Sequence, residues 1–164
     1  MITESPRSNK TPVMIGIGEY HVGSEPMITI GLGSCIGLTI YDRDQHIGAM
    51  VHIMLPDSSG RTDRLGKYAD TAVPLLLKEL TDRGSKHSSL VFKMAGGAAM
   101  FEYFGTNLNI GERNAERVRT LLAAQHYRIS AEEVGGKSGR TVAFYPSEGG
   151  KVTVRSADGA THEI

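Results

Sequence analysis

The sequence has little cysteine, no excess of charge of either sign and no long apolar run, and each shortage excludes a class of protein. Its single cysteine, Cys35, excludes a disulfide within the chain and the usual multi-cysteine zinc sites. Eighteen basic residues balance eighteen acidic ones, so we expect no cationic surface for nucleic acid. No apolar run approaches the roughly 18 residues of a membrane-spanning helix, so we expect no membrane insertion.

The remaining composition is that of an ordinary globular domain. Its 164 residues, 40% hydrophobic and 22% charged, fit one domain with its own core. Residues 1–11 are polar and show no apolar periodicity, which predicts a flexible tail before a domain at 12–164. The start of the chain also lacks the apolar core of a signal peptide. We therefore expect a cytoplasmic protein whose thiol stays reduced.

Short apolar segments bounded by turn residues predict a fold rich in strands. The predicted strands are 13–17, 27–30, 36–41, 47–55, 90–94, 127–134, 141–145 and 151–155. Helical spacing of apolar residues predicts two helices, within 65–83 and from about 110 to 126, with a kink or break at Pro74. Turn residues predict hairpins at 135–139 and 148–150. Together these elements predict an α+β fold, a mixed β-sandwich with flanking helices in a single domain.

Two glycine-rich stretches look like nucleotide-binding motifs but fail at the positions that matter. After Gly31 and Gly33, Ile36 stands where a dinucleotide fingerprint has its third glycine, and no long helix follows. The stretch Gly136-Lys-Ser138 has Ala131 where a P-loop needs glycine. No two histidines stand at a helical ligand spacing within a predicted helix, so we expect neither a metal nor an organic cofactor.

One histidine and the cysteine stand in unusual places. His52 is the only polar residue of an apolar strand, where an imidazole needs a hydrogen-bond partner. Cys35 follows Gly33 and Ser34 at the head of another strand, where glycine lets the backbone approach a ligand. If the two strands pair, imidazole could hold the Cys35 thiol as a reactive thiolate, and the N–H groups of Ser34 and Cys35 could face an oxyanion.

The alternative is structural, with a core histidine bonded to a carbonyl and an inert buried cysteine. The residues alone do not decide between the two interpretations. No acidic residue is predicted near the pair to orient the imidazole, and Thr29, in a polar position of its strand, offers a hydroxyl for that purpose. A threonine by itself is most often only a good strand former.

At several separated blocks the sequence closely resembles the CheD family of chemoreceptor glutamine deamidases. The blocks occur in the expected order between residues 13 and 155, and no departure is seen at the positions that matter. They are Thr29–Asp42, Gly48–Pro56, Lys67–Asp70 with Pro74-Leu-Leu, Ala95–Ala98, Asn109–Asn114, and Val134-Gly-Gly with Gly139-Arg140.

This resemblance implies a role for each of three residues. The nucleophile of the family falls on Cys35, its general base on His52 and its assisting threonine on Thr29. The implied fold is similar to the deamidase domain of the cytotoxic necrotizing factor toxins. The implied reaction converts selected glutamines of methyl-accepting chemotaxis proteins to glutamate with release of ammonia, in chemotaxis adaptation, and needs no cofactor.

The resemblance also implies partners and leaves two other functions open. Family members act on the helical cytoplasmic region of the receptors, and many bind CheC, a phosphatase of the response regulator CheY. One alternative is a non-catalytic regulator that binds CheC and keeps Cys35 by descent only. The other is a thiol hydrolase of different specificity, such as a receptor methylesterase.

Overall fold

Ten strands and two helices make up the computed structural model, which describes residues 10–99 and 109–164. The strands are β1 Val13–Met14, β2 Tyr20–Gly23, β3 Met27–Leu32, β4 Ile36–Asp42, β5 Ile47–Ile53, β6 Leu90–Gly96, β7 Ile129–Val134, β8 Arg140–Tyr145, β9 Lys151–Ser156 and β10 Thr161–Glu163. The helices are α1 Ala69–Asp82 and α2 Ile110–Ala124, and short 3-10 turns lie at Leu65–Lys67, His87–Ser89 and Pro146–Glu148. Most of the predicted flexible tail, residues 1–9, lies outside the described residues.

The strands form two five-stranded sheets of mixed direction. The first sheet has the order β1-β3-β8-β9-β10 and the second the order β2-β5-β4-β6-β7. Pairing is parallel between β1 and β3 and between β6 and β7, and antiparallel elsewhere. The predicted α+β class is therefore confirmed, with two sheets and two helices in one domain.

Two apolar clusters define three layers. One cluster joins the inner faces of α1 and α2 to β4, β5 and β6 of the second sheet. The other joins β3, β8 and β9 of the first sheet to the opposite face of the second. The second sheet is thus covered on both faces, and β4 is buried along its whole length. Such double coverage explains why 47–55 reads as a nearly continuous apolar run.

Several predicted elements need correction. The strands β2 and β10 were not predicted, because β2 is short and β10 is exposed, so neither has a clear apolar alternation. The predicted hairpin at 135–139 is wrong, because β7 pairs with β6 in the second sheet whereas β8 pairs with β3 and β9 in the first. The turn at 135–139 instead carries the chain from one sheet to the other. The hairpin at 148–150, between β8 and β9, is confirmed.

The helices begin and end close to their predicted bounds. The α-helix α1 starts at Ala69 after a 3-10 turn, and it runs through Pro74 without a break. Gly84 follows it with a positive φ, as expected for a glycine that ends a helix. Within the described residues, neither helix is long and apolar enough to cross a bilayer.

Candidate active site

Strand register places Cys35 and His52 on the same face of the second sheet. His52 of β5 lies directly opposite Gly37 of β4, and Cys35 comes two residues before Gly37. Side chains two residues apart on a strand share a face, so the thiol and the imidazole are diagonal neighbours. Cys35 also packs in the inter-sheet cluster with Met50, which lies two residues before His52. Both site residues therefore point into the space between the sheets.

Thr29 reaches His52 from the opposite sheet. Its hydroxyl oxygen lies 2.8 Å from His52 Nδ1 and 2.7 Å from the Ile15 carbonyl oxygen, and the threonine is fully buried. A carbonyl can only accept, so the single hydroxyl proton goes to Ile15 and the Thr29 oxygen accepts from Nδ1–H. The resulting tautomer leaves Nε2 as the basic nitrogen of His52. The structure thus brings Thr29 and His52 together.

Gly37 makes room for this contact. A Cβ at Gly37 would lie 3.0 Å from Leu32 Cδ1 and 3.5 Å from Thr29 Cγ2. The absence of a side chain opposite His52 therefore lets the methyl side of Thr29 approach β4 while its hydroxyl reaches the imidazole. A Cβ at this position would press on the end of the Leu32 side chain and make an ordinary contact with Thr29, and Gly37 itself lies in a regular part of β4.

The thiol and the imidazole are close in register but not hydrogen-bonded. His52 Nε2 is buried and has no hydrogen-bond partner among the described residues, Cys35 Sγ included. Burial raises the pKa of the Cys35 thiol. Burial also lowers the pKa of His52, and the nearby Ile15 carbonyl and the charge of Glu19 oppose that shift only in part. Both shifts favour the uncharged form of the group, and a thiolate at Cys35 stays a prediction.

Main-chain contacts fix the turn that carries Cys35. The Gly97 and Ala98 N–H groups donate to the carbonyls of Cys35 and Gly33, both at 2.8 Å. Among residues 10–99 and 109–164, neither the Ser34 nor the Cys35 N–H donates a hydrogen bond. Within the described part of the chain these two donors, one of them on Cys35 itself, are left without an acceptor. They are the two N–H groups, of Ser34 and Cys35, that the sequence predicts as donors to an oxyanion.

Three residues next to this turn were not predicted as part of the site. Asn114 of α2 is fully buried, and its side-chain amide donates hydrogen bonds to the carbonyls of Ser34 and Met54. Gly96 packs against the Cys35 carbonyl. Arg140 of β8 donates to the carbonyls of Gly96 and Gly135 at 2.9 and 2.8 Å, across the two sheets. The sequence held a signal for Asn114, because it stands four residues before Val118 in the apolar stripe of α2.

Comparison with known proteins places this arrangement in a family. Residues 54–156 match the family model CheD, described as CheD chemotactic sensory transduction. Chemoreceptor glutamine deamidase CheD of Thermotoga maritima is 48% identical over 148 residues, which is 89% of this chain and 92% of that protein. The chain belongs to the CheD family.

Two further CheD relatives are similar to this chain over nearly its whole length. The probable chemoreceptor glutamine deamidase CheD of Symbiobacterium thermophilum is 45% identical over 92% of this chain and 95% of that protein. Chemoreceptor glutamine deamidase CheD of Halalkalibacterium halodurans is 42% identical over 93% of this chain and 98% of that protein. The CheD family model begins at residue 54, after Thr29, Cys35 and His52. That match therefore does not test the roles of these three residues, which stay a prediction.

Proposed function

We propose that this chain is a protein-glutamine deamidase that converts glutamine side chains of chemoreceptors to glutamate, with Cys35 as nucleophile and His52 as general base. Membership of the CheD family supports the substrate and the reaction. One structural observation carries the assignment of residues. It is the 2.8 Å contact from the Thr29 hydroxyl to His52 Nδ1, which leaves Nε2, unpartnered among the described residues, on the face that Cys35 shares.

In the first step the substrate carboxamide enters beside Cys35. Nε2 of His52 takes the thiol proton as the sulfur attacks the carboxamide carbon, and the carbonyl oxygen becomes an oxyanion. The N–H groups of Ser34 and Cys35 donate to that oxyanion. The imidazolium then gives its proton to the nitrogen, ammonia leaves, and a thioester joins Cys35 to the substrate.

In the second step water replaces ammonia. His52 Nε2 takes a proton from the water as its oxygen attacks the thioester carbon, and the same two N–H groups hold the second oxyanion. Collapse of this intermediate breaks the carbon–sulfur bond, returns the proton to Cys35 and releases glutamate. Thr29 keeps Nδ1 protonated in both steps, so that Nε2 is always the nitrogen that exchanges protons.

The buried, neutral resting pair suits a base that acts only when substrate is present. A thiolate and an imidazolium would each be disfavoured by burial, and the raised pKa of Cys35 and lowered pKa of His52 reflect this cost. Cys35 keeps 8% of its surface exposed and His52 keeps 2%, so Cys35 is the more exposed residue of the two. This difference in exposure fits a mechanism in which the substrate meets the nucleophile Cys35 and the base His52 lies deeper.

The finer expectations from the family belong to the same proposal. We expect the substrate glutamines to lie in the helical cytoplasmic region of the receptors, which places the enzyme in the cytoplasm. We also expect binding to CheC and a fold similar to the deamidase domain of the cytotoxic necrotizing factor toxins. The arrangement of two sheets with helices on one outer face is compatible with that likeness.

Incubation with a purified receptor cytoplasmic fragment tests the function. Mass spectrometry of the fragment should show conversion of glutamine to glutamate with the wild type and none with Cys35→Ala. His52→Gln should slow the reaction by about 10²–10⁴-fold, the usual contribution of one positioned acid–base group. His46→Gln is the matched control, because the His46 side chain contacts the Tyr41 hydroxyl, at 3.0 Å, in the turn between β4 and β5, at the opposite end of β4 from Cys35.

The other functions predict different products. Release of methanol from a methylated fragment, without ammonia, would identify a methylesterase. A wild type that binds CheC and leaves every receptor glutamine unchanged would identify a non-catalytic regulator. Equal deamidation by wild type and Cys35→Ala, with both proteins folded, would remove Cys35 from the mechanism.

A further inference from the structure

Asn114 links the two chain segments that carry the candidate catalytic residues. Its Nδ2 donates to the Ser34 carbonyl at 2.9 Å and to the Met54 carbonyl at 3.0 Å. Ser34 directly precedes Cys35, and Met54 comes two residues after His52. The side chain projects from α2 and is fully buried. One amide group thus joins the helix layer to the ends of β4 and β5 beside the site.

The two partners determine which way the amide faces. Both are carbonyls, which only accept, so each needs one of the two Nδ2 hydrogens. Exchanging Oδ1 and Nδ2 would set an oxygen against two carbonyl oxygens. In this orientation the acceptor of Asn114 is left unpaired, because Oδ1 is buried without a hydrogen-bond partner among the described residues. A buried unpaired acceptor is unfavourable, so the stability of the fold does not by itself explain an asparagine here.

The Ser34 carbonyl belongs to the same peptide unit as the Cys35 N–H. That unit is planar and trans, so the carbonyl and the N–H point in opposite directions. A hydrogen bond that holds the carbonyl therefore also sets the direction of the Cys35 N–H, which donates to no group of the described chain. The second bond fixes the Met54 carbonyl, and with it the end of the strand that carries His52.

We propose that Asn114 is a positioning residue for deamidation, which aims the Cys35 N–H at the oxyanion and holds its distance from the His52 strand. This proposal rests on the proposed function of the Cys35 and His52 pair. Asn114 acts through the peptide unit of Ser34 and Cys35, and it does not touch the substrate. Its contribution appears in the rate of the reaction, because the oxyanion develops only after the substrate has bound and the sulfur attacks.

Two rates measured on the same variants separate positioning from general structure. Deamidation needs the oxyanion donors, whereas alkylation of Cys35 by iodoacetamide displaces iodide and forms no oxyanion. Asn114→Ala should lower kcat for deamidation of the receptor fragment by about 10²-fold, a typical loss for a small misplacement, with KM unchanged. Its alkylation rate should stay within about twofold of the wild type.

Two other variants show whether a fall in activity comes only from a loss of stability. Asn114→Leu keeps the branched shape of the side chain and removes both hydrogen bonds, so it should reproduce the loss if Asn114→Ala fails to fold. Val118→Ala opens a cavity in the helix–sheet cluster, one turn along α2, and leaves both carbonyls bonded. It should lower the free energy of unfolding while kcat stays near that of the wild type.

Each outcome decides a stated point. A selective fall in kcat for the Asn114 variants supports the positioning role. Equal falls in deamidation and alkylation, or a normal kcat in a folded Asn114→Leu, overturn it while the wild type still deamidates. An unreactive wild type overturns the proposed function and the role of Asn114 with it.

Discussion

At the scale of single residues, Thr29 supplies one hydroxyl to two neighbours. It donates to the Ile15 carbonyl and accepts from His52 Nδ1–H, and all of this occurs in a fully buried position. An aspartate often performs the second task in related triads, but a carboxylate could not donate to Ile15. A neutral hydroxyl also suits a site where burial keeps the imidazole uncharged.

Replacing Thr29 by valine should separate these tasks from simple packing. Thr29→Val keeps the shape but leaves the Ile15 carbonyl and the His52 N–H unpaired, which should lower the free energy of unfolding by about 1–3 kcal/mol. Loss of the fixed imidazole should lower kcat by about 10²-fold. Urea unfolding and ammonia release measure the two effects.

Thr29→Ser is the matched control, because it keeps the hydroxyl and loses only a methyl group. It should retain most of the activity. If Thr29→Val and Thr29→Ser deamidate equally fast, the hydroxyl does not orient His52.

At the scale of elements, the head of β4 is held by the end of β6. Gly96 ends β6 with φ +113°, and a Cβ there would overlap the Cys35 carbonyl oxygen. The next two residues donate to Cys35 and Gly33, and Arg140 from the other sheet holds the Gly96 carbonyl. The nucleophile thus sits on a turn that is fixed from a neighbouring strand.

A methyl group at Gly96 should test how tightly this turn is held. Gly96→Ala is expected to lower the free energy of unfolding by about 1–3 kcal/mol more than Gly149→Ala does, the usual cost of overpacking. Gly149 also has a positive φ, +72°, but nothing lies within 4 Å of a Cβ there. The comparison therefore accounts for a positive φ as such, and the remaining difference combines the overlap at Gly96 with the additional strain of its larger φ, +113°.

The same pair of variants also reports on the site. Gly96→Ala should lose deamidation activity because the Cys35 carbonyl must move, whereas Gly149→Ala should keep it. A fully active Gly96→Ala of normal stability would mean that the turn adjusts without displacing the sulfur.

At the scale of the whole molecule, two buried titratable groups link folding to pH. Burial holds the pKa of His52 below its ordinary value of 6.5 and raises the pKa of Cys35 above its ordinary value of 9.0. Below pH 6.5 the unfolded chain binds a proton at His52 that the folded protein resists. Above pH 9.0 the unfolded chain releases a proton from Cys35 that the folded protein keeps.

Stability should therefore fall on both sides of a plateau between these two values. The free energy of unfolding, from urea titrations between about pH 5 and about pH 10, should decrease toward the acid end and toward the alkaline end. His52→Gln should flatten the acid limb only, and Cys35→Ala the alkaline limb only. Unchanged limbs in these variants would show that the two groups titrate alike in the folded and unfolded chains.

Local patterns predicted most of the elements but not how they are joined. Apolar periodicity placed both helices and the long strands, because burial on one face or both leaves a repeat in the residues. It missed β2 and β10, which are short or exposed, and it could not show that β7 and β8 lie in different sheets. Sheet membership depends on long-range pairing, which leaves little trace in a local window.

The same limit explains the site. His52 and Cys35 stood out because a polar residue in an apolar strand and a thiol after glycines are local exceptions. Asn114 interrupts an apolar stripe in the same way, but its partners lie 80 and 60 residues away along the chain. No pattern within the helix could name the two carbonyls that it bonds.

The sequence by itself determined which residues carry reactive groups and which segments must be buried, because side-chain chemistry and apolar spacing are local properties. Tertiary structure alone decided the rest. It put the Thr29 hydroxyl of one sheet 2.8 Å from His52 Nδ1 of the other and left Nε2 without a partner among the described residues. Through burial it also raised the pKa of the Cys35 thiol and lowered the pKa of the His52 imidazole. Distances between sheets and the loss of water around a charge exist only once distant segments have packed together.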